Sequence, residues 1–260
     1  SFEDVTVSVK DLITGDFAAA AVLIAFGAVL GRTSPLQLAV MAFIQNLLFT
    51  LHEEILVKEF KITDIGGSIV VHAFGALFGV AVSFVLGKTE GARGSPYTSR
   101  TNAVTSFIGT LFLWAFNSAL GDPTGQQRAI VNTVLALCGS AVSAFLVSHL
   151  ARRGRLSTED IQNATLAGGV AIGTSANFIV HPSGAIFVGL LAGTVSTLGF
   201  AYIGPFMADV VGVEDTCGVM YLHGIPGLLA GLISSVVAYR ADTDAYGPSL
   251  TTIFPERGNG

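Results

Sequence analysis

The chain has 260 residues, of which 51% are hydrophobic and only 12% charged, with a net charge of −5. That charged share is roughly half of what a soluble domain carries, and an acidic balance without a basic patch argues against a nucleic-acid partner. The composition is that of an all-α, polytopic membrane protein whose partner is the lipid bilayer.

The opening "SFEDVTVSVK" is too polar, and too short in its apolar part, to read as a secretory leader. A span needs about 20 apolar residues at ~1.5 Å rise to cross a ~30 Å hydrocarbon core. Eight stretches qualify: 15–31, 35–57, 66–87, 103–121, 129–150, 161–181, 185–206 and 218–238. The breaks between them are turn-forming or charged: "GRTSP" at 31–35, "KTEGARGSPYTSR" at 88–100 and "ARRGRLSTED" at 151–160. "HPSG" at 181–184 is a tight turn in which His181 either sits or caps the preceding helix. Residues 239–260 read as a polar tail. The runs exceed the ~10 residues of a barrel strand and do not alternate, which excludes a membrane β-barrel. The expectation is one transmembrane domain over 1–260, its inverted halves near 1–87 and 103–238.

Gly-xxx-Gly pairs recur in five spans, at Gly27/Gly31, Gly75/Gly79, Gly169/Gly173, Gly189/Gly193 and Gly227/Gly231. Small residues four apart let helix backbones approach inside a bilayer, and compact bundling is the reading for most of them. The basic clusters at Lys88, Arg93 and Arg100 and at Arg152, Arg153 and Arg155, with Arg32, share one face and place it in the cytoplasm. Cys138 and Cys217 form no disulfide framework. "NAT" at 163–165 opens an apolar span, so its match to a glycosylation sequon is chance. His52, Glu53 and Glu54 could suggest an intramembrane metalloenzyme, but neighbours along a helix point to different sides, a poor ligand set. No metal, cofactor or catalytic residue is expected.

One repeat carries more. "DIGGSIVVH" runs from Asp64 through Gly67 to His72, and "DTCGVMYLH" runs from Asp215 through Gly218 to His223, 151 residues further on. The two copies open the third and eighth spans, which are antiparallel, so the repeat is inverted, a frequent plan among transporters. Eight residues put each histidine ~12 Å inside its own membrane face, so both imidazoles arrive near the midplane. A lone intramembrane histidine can simply bond to a neighbouring helix; two at matched depth point to a shared lumen. Each aspartate sits where it can cap a helix start.

"DIGGSIVVHAFGALFG", "NATLAGGVAIGT", "STLGFAYIGPF" and "DTCGVMYLHGIPG" resemble the Rh glycoprotein branch of the Rh/Amt ammonium-transporter family, over nearly the whole chain. The resemblance implies a homotrimer, in the plasma membrane, with a narrow apolar pore in each subunit between two inverted five-helix halves. It implies conduction of ammonia, with ammonium losing its proton at the pore mouth and with methylamine or carbon dioxide as further candidates. His72 and His223 fall on the family's twin histidines and Asp64 on the aspartate of the pore core, with Asp215, Gly67, Gly218 and Asn117 as its structural companions. Phe116, in "AFNSA", falls on a phenylalanine that gates the outer mouth. The departures are expectations too. The second helix and most of the first are missing at the Lys10–Asp11 junction, and the other gate phenylalanine lies in that absent region, which leaves Phe116 without a partner. Trp114 does not align with the pore-mouth tryptophan, and the long helix that the family places after "VVAYR" is expected to be missing from this chain. The chain is either a shortened member or one whose internal segments have been joined without the intervening residues. A non-conducting membrane scaffold of the same fold is the other functional reading.

Overall fold

A computed structural model describes residues 6–88, 100–254 and 257, and among these every regular element is helical. In chain order they are α1 (Val9–Val29), α2 (Pro35–Glu59), α3 (Ser68–Leu86), α4 (Arg100–Leu111), α5 (Leu113–Ser118), α6 (Pro123–Ala151), α7 (Thr158–Gly173), α8 (Pro182–Val211), α9 (Met220–Arg240), α10 (Thr243–Tyr246) and α11 (Ser249–Ile253). Most of the connection at 88–100 lies outside the described residues. Six of the helices, α1, α2, α3, α6, α8 and α9, are long and apolar enough to cross a membrane.

Capping explains the helix starts. Ser8 and Asp11 exchange bonds across the first turn of α1, with the Asp11 carboxylate 2.7 Å from the Ser8 N–H. That is why α1 begins at Val9, six residues before the expected start. Ser34 and Gln37 do the same for α2, behind Pro35 at the first helical position. Asp122 caps α6 and Ser157 caps α7. His181 precedes Pro182 in extended backbone and makes no side-chain cap to α8.

Two expected spans differ in form. The fourth, 103–121, breaks at Phe112 into α4 and α5. The sixth, 161–181, is helical only to Gly173. Beyond it the carbonyls of Ala176, Asn177 and Phe178 take their hydrogen bonds from the side chains of Asn132 and Arg128 on α6 (2.8–3.2 Å). Those side chains replace the helical donors, so the backbone can leave the helix while buried. The expected polar tail is also different. Tyr246, Leu250, Ile253 and Phe254 are buried against Phe178, and the Ile179 N–H donates to the Tyr246 hydroxyl at 2.8 Å. Apolar residues spaced at three or four along short helices make this segment a lid on the bundle.

The internal symmetry is visible in two backbone contacts. The segment before α3 lies on the end of α7, where the Gly66 N–H donates to the Gly173 carbonyl (3.1 Å). The segment before α9 lies on the end of α1, where the N–H groups of Thr216 and Cys217 donate to Ala28 and Gly27 (3.1 and 3.0 Å). Glycines set the spacing between helices. A Cβ on Gly75 or Gly79 would meet the carbonyls of Ala21 or Ala25 at 2.7 and 2.6 Å, so α3 crosses α1 in direct backbone contact. Gly189 on α8 presses in the same way on the Ala136 carbonyl of α6.

Substituting these glycines separates packing from propensity. Gly189→Ala forces α6 and α8 apart and should cost about 1–3 kcal/mol. Gly15→Ala, on α1 with nothing within 4 Å of the added Cβ, should raise stability by up to ~1 kcal/mol. Thermal melting in detergent compares the two directly.

Candidate functional site

The site is assembled from two copies of one local device. In the first, Asp64 Oδ1 accepts from the Ser68 N–H (2.9 Å), and Oδ2 accepts from the N–H groups of Ile69 (2.9 Å) and Val70 (2.8 Å). These are the donors that a helix start leaves without partners. A fourth bond crosses the molecule, from the Thr174 hydroxyl to Asp64 Oδ1 at 2.6 Å. Gly67 turns the chain into α3 with φ of 62°, where a Cβ would press on Val71 at 2.7 Å, so this turn requires glycine. The first turn of α3, Ser68–Ala73, is a π-helix, with the His72 N–H reaching back to the Gly67 carbonyl (2.9 Å).

The second copy repeats the plan with fewer bonds. Asp215 accepts from the N–H groups of Val219 (3.0 Å) and Met220 (2.8 Å), Gly218 has φ of 68°, and Met220–Gly224 is again a π-helical turn. No side-chain hydroxyl corresponds to Thr174 here. The equivalent region of α1 is apolar, with Val219 against Gly27.

The two turns bring the histidines together. His72 Nδ1 lies 3.0 Å from His223 Nδ1, and the rings are parallel within 3°. One ring must donate and the other accept, so the contact holds only while at least one Nδ1 carries a lone pair. His72 is buried (4% exposed), and its Nε2 has no hydrogen-bond partner.

Phe116 lies 5.5 Å from the His72 ring, and it is not alone. Phe17 on α1 stacks on it, ring centroids 4.3 Å apart and 14° from parallel. The expectation that Phe116 has no visible partner is therefore corrected: its partner stands in "DLITGDFAAAAV". Phe17 lies within α1, after the Lys10–Asp11 junction, in the part of the helix that the chain retains. Four aromatic rings, Phe17, Phe116, His72 and His223, form one continuous row. Asn117, beside Phe116, is buried and ties three elements: its Nδ2 donates to Thr133 (3.0 Å) on α6 and to the Gly169 carbonyl (2.9 Å) on α7. Trp114 lies against Phe112, with centroids 6.4 Å apart.

Thr174 and Ser68 were not singled out by sequence reasoning. The Ser68 hydroxyl donates to the Val170 carbonyl (2.6 Å) and accepts from the Thr174 N–H (2.8 Å). No local spacing marks residues whose partners lie more than a hundred positions away. His52, Glu53 and Glu54 do not converge: His52 stacks on Phe74 at 4.7 Å, and Glu54 pairs with Lys58 at 2.8 Å.

The bonds around Asp64 set an order of severity. Asp64→Ala removes a helix cap and a cross-chain bond and should lower stability by about 2–4 kcal/mol. Asp64→Asn keeps one oxygen acceptor and should fall between it and wild type. Asp215→Ala, with no partner across the chain, should cost less than Asp64→Ala in the same melting experiment.

The model of the Ammonium Transporter Family matches residues 1–254. The chain is 45% identical over 259 residues to the ammonium transporter Rh type B of Mus musculus, a match covering 96% of this chain and 56% of that protein. It is 43% identical over 256 residues to the ammonium transporter Rh type C of Homo sapiens, covering 94% and 52%. The chain thus spans about half the length of the curated relatives it matches. Among solved structures, Nitrosomonas europaea Rh50, described with the conduction mechanism of the Rhesus protein family of channels, superposes with a TM-score of 0.79 at 39% identity. That match covers 88% of this chain and 63% of the other. Mep2 of Saccharomyces cerevisiae, at 18% identity and a TM-score of 0.74 over 92% of this chain and 54% of that one, shares the fold. With six membrane-length helices among the described residues and a family match over residues 1–254, this multi-pass membrane chain belongs to the ammonium transporter family.

Proposed function

We propose that the protein conducts ammonia across the membrane through the row of rings centred on His72 and His223. The observation that carries the reading is the bonded histidine pair, with His72 buried, His223 part-buried and the Nε2 of His72 left without a partner. A buried ring nitrogen without a partner costs free energy, and a small polar molecule that bonds to it removes the cost. An ion passing the same point loses its water at a penalty of several kcal/mol. Ammonia loses only the hydration of a neutral molecule. Ammonium therefore gives up its proton near the mouth, and the Phe17–Phe116 stack closes the entrance to bulk water. Methylamine meets the same requirements as an analogue, and carbon dioxide is neutral enough to pass on the same grounds.

The protein works in this reading as a homotrimer in the plasma membrane, each subunit carrying its own pore. The apolar outer faces, such as Phe43, Leu47 and Leu51 on α2, suit burial in lipid or against a neighbouring subunit. A non-conducting scaffold would have no use for a paired histidine couple with one ring buried, which favours conduction. The related proteins named as ammonium transporters support the substrate class.

Vesicles containing the full-length protein should alkalinise internally faster than empty vesicles under an inward ammonium gradient, because entering ammonia binds protons inside. Rates equal to those of empty vesicles would leave the scaffold reading standing.

The pair makes a sharper prediction. His72→Leu and His223→Leu replace a ring by a side chain of similar bulk and should melt near wild type while slowing ammonia flux. Groups that act as one unit lose function non-additively, so the double variant should be about as slow as a single variant rather than slower by the combined loss of both. Additive losses in the same vesicle assay would mean that the rings act separately.

A further inference from the structure

The helices that carry the two histidines meet again at the Asp215 end of the bundle. There α3 finishes at Leu86, and Glu214 stands one residue before the aspartate that starts α9. Arg32 reaches between them from the end of α1, where Gly31 turns the chain with φ of 76°. It is part-buried, its side chain 9% exposed. Nη1 donates to the Ser83 hydroxyl (2.7 Å) and to the Glu214 carbonyl (2.6 Å), and Nη2 donates to the Gly87 carbonyl. The Ser83 hydroxyl in turn donates to the same Glu214 carbonyl at 2.6 Å. The Glu214 carboxylate balances the charge, with Oε2 3.5 Å from Nε.

Two of these acceptors are backbone atoms, and that decides what the cluster can do. The Gly87 carbonyl lies at the end of α3, where a helix leaves carbonyls without helical donors. The Glu214 carbonyl directly precedes Asp215, whose carboxylate holds the first turn of α9 through Val219 and Met220. Bonds from a charged donor are the stronger ones, and a guanidinium presents its donors in a rigid fork. The Gly75 and Gly79 seam brings α3 against α1, but it offers no side chain that would stop α3 sliding along its own axis. The bonds of Arg32 supply that stop. His72 stands eleven residues before Ser83, about 16 Å along the helix at ~1.5 Å per residue. A slide of α3 at this end therefore moves the His72 ring past His223 by the same amount. The 3.0 Å contact between the rings is lost once it opens beyond about 3.5 Å.

We propose that Arg32 is a positioning residue for the histidine pair: it fixes the axial register of α3 against α9 and so keeps the two Nδ1 atoms within bonding distance. The inference rests on the reading of that pair as the working part of the pore. Arg32 stands far from both rings and acts only through the helices that carry them. Its bonds to the carbonyls set the register, and the ion pair with Glu214 neutralises the charge. At the Asp64 end a direct bond does the corresponding work, from the Thr174 hydroxyl to the carboxylate.

The test uses the full-length protein with isotopically labelled histidine in lipid bilayers. Solid-state NMR reads the coupling between the two Nδ1 nuclei across their hydrogen bond, and its loss in His223→Leu assigns it. Ammonia flux in vesicles and melting are followed on the same variants. Arg32→Met alone would leave the Glu214 carboxylate unpaired, so the Arg32→Met/Glu214→Gln double variant, which removes both charges, guards against misfolding. In that variant the coupling should disappear while melting stays cooperative. Flux should fall about tenfold, within what a misplacement of ~1 Å can cost. Arg32→Lys keeps a charged donor and should recover part of both signals. Glu214→Gln alone keeps the carbonyl bonds and should retain the coupling. In a His72→Leu background, loss of Arg32 should slow flux no further. Unchanged coupling in a folded double variant, or equal loss of coupling in Glu214→Gln alone, would overturn the proposal. If the wild type shows the coupling but no flux, the conduction reading falls, and the response of the coupling to Arg32 still decides this inference.

Discussion

Backbone at membrane depth has no water to bond to, so every N–H that a helix start leaves free must find an acceptor within the protein. Two carboxylates meet that demand here, and the rest of the architecture is arranged around them. Asp64 collects three backbone donors and one hydroxyl, and Asp215 collects two backbone donors. Each is followed three residues later by a glycine with positive φ, which aims the helix inward. Because the bonds fix the helix starts, they also fix where His72 and His223 stand. The 3.0 Å contact between the two rings is the result of two helix starts laid on opposite sides of the bundle.

The two halves are alike in backbone and unlike in chemistry. At the Asp64 end, Thr174, Ser68, Asn117, Asn132 and Arg128 form a polar network that reaches through α6 and α7. At the Asp215 end the corresponding contact is Val219 against Gly27, and the polar work falls to Arg32. Its guanidinium donates to Ser83 and to the Glu214 carbonyl (2.7 and 2.6 Å) and bonds to the Gly87 carbonyl, joining α1, α3 and the approach to α9. The first end is held mostly by side-chain amides and hydroxyls, the second by one part-buried guanidinium that also pairs with the Glu214 carboxylate at 3.5 Å.

Much of this was legible because it is local. An aspartate, a glycine and a histidine at fixed spacing, twice, announce two equivalent helix starts, and apolar length announces the spans. What escaped depends on partners far along the chain. Thr174 looks like any threonine in a small-residue stretch until the fold lays it on Asp64. The end of α7 unwinds because Arg128 and Asn132, from another helix, take its carbonyls, so the apolar run through 181 overstated the helix. Tyr246, Leu250, Ile253 and Phe254 lie among polar residues, and only the surface offered by Phe178 makes them a buried cluster. Phe17 stands in an apolar run where nothing distinguishes it from a lipid-facing ring until its stack on Phe116 is seen.

The π-helical turns at Ser68–Ala73 and Met220–Gly224 have a further meaning. Such a turn holds one residue more than an α-helical turn would over the same rise. One surplus residue advances the helix by about 100° of rotation. Everything beyond the turn, including the Gly75 and Gly79 seam against α1, is therefore in phase with the bundle only because the surplus is present. Each histidine occupies the turn that absorbs the offset, so the two aspects of the helix, the seam that packs and the ring that bonds, are set independently of one another. Length heterogeneity at this point would read out as angle, and the inverted repeat keeps the same offset on both sides of the axis.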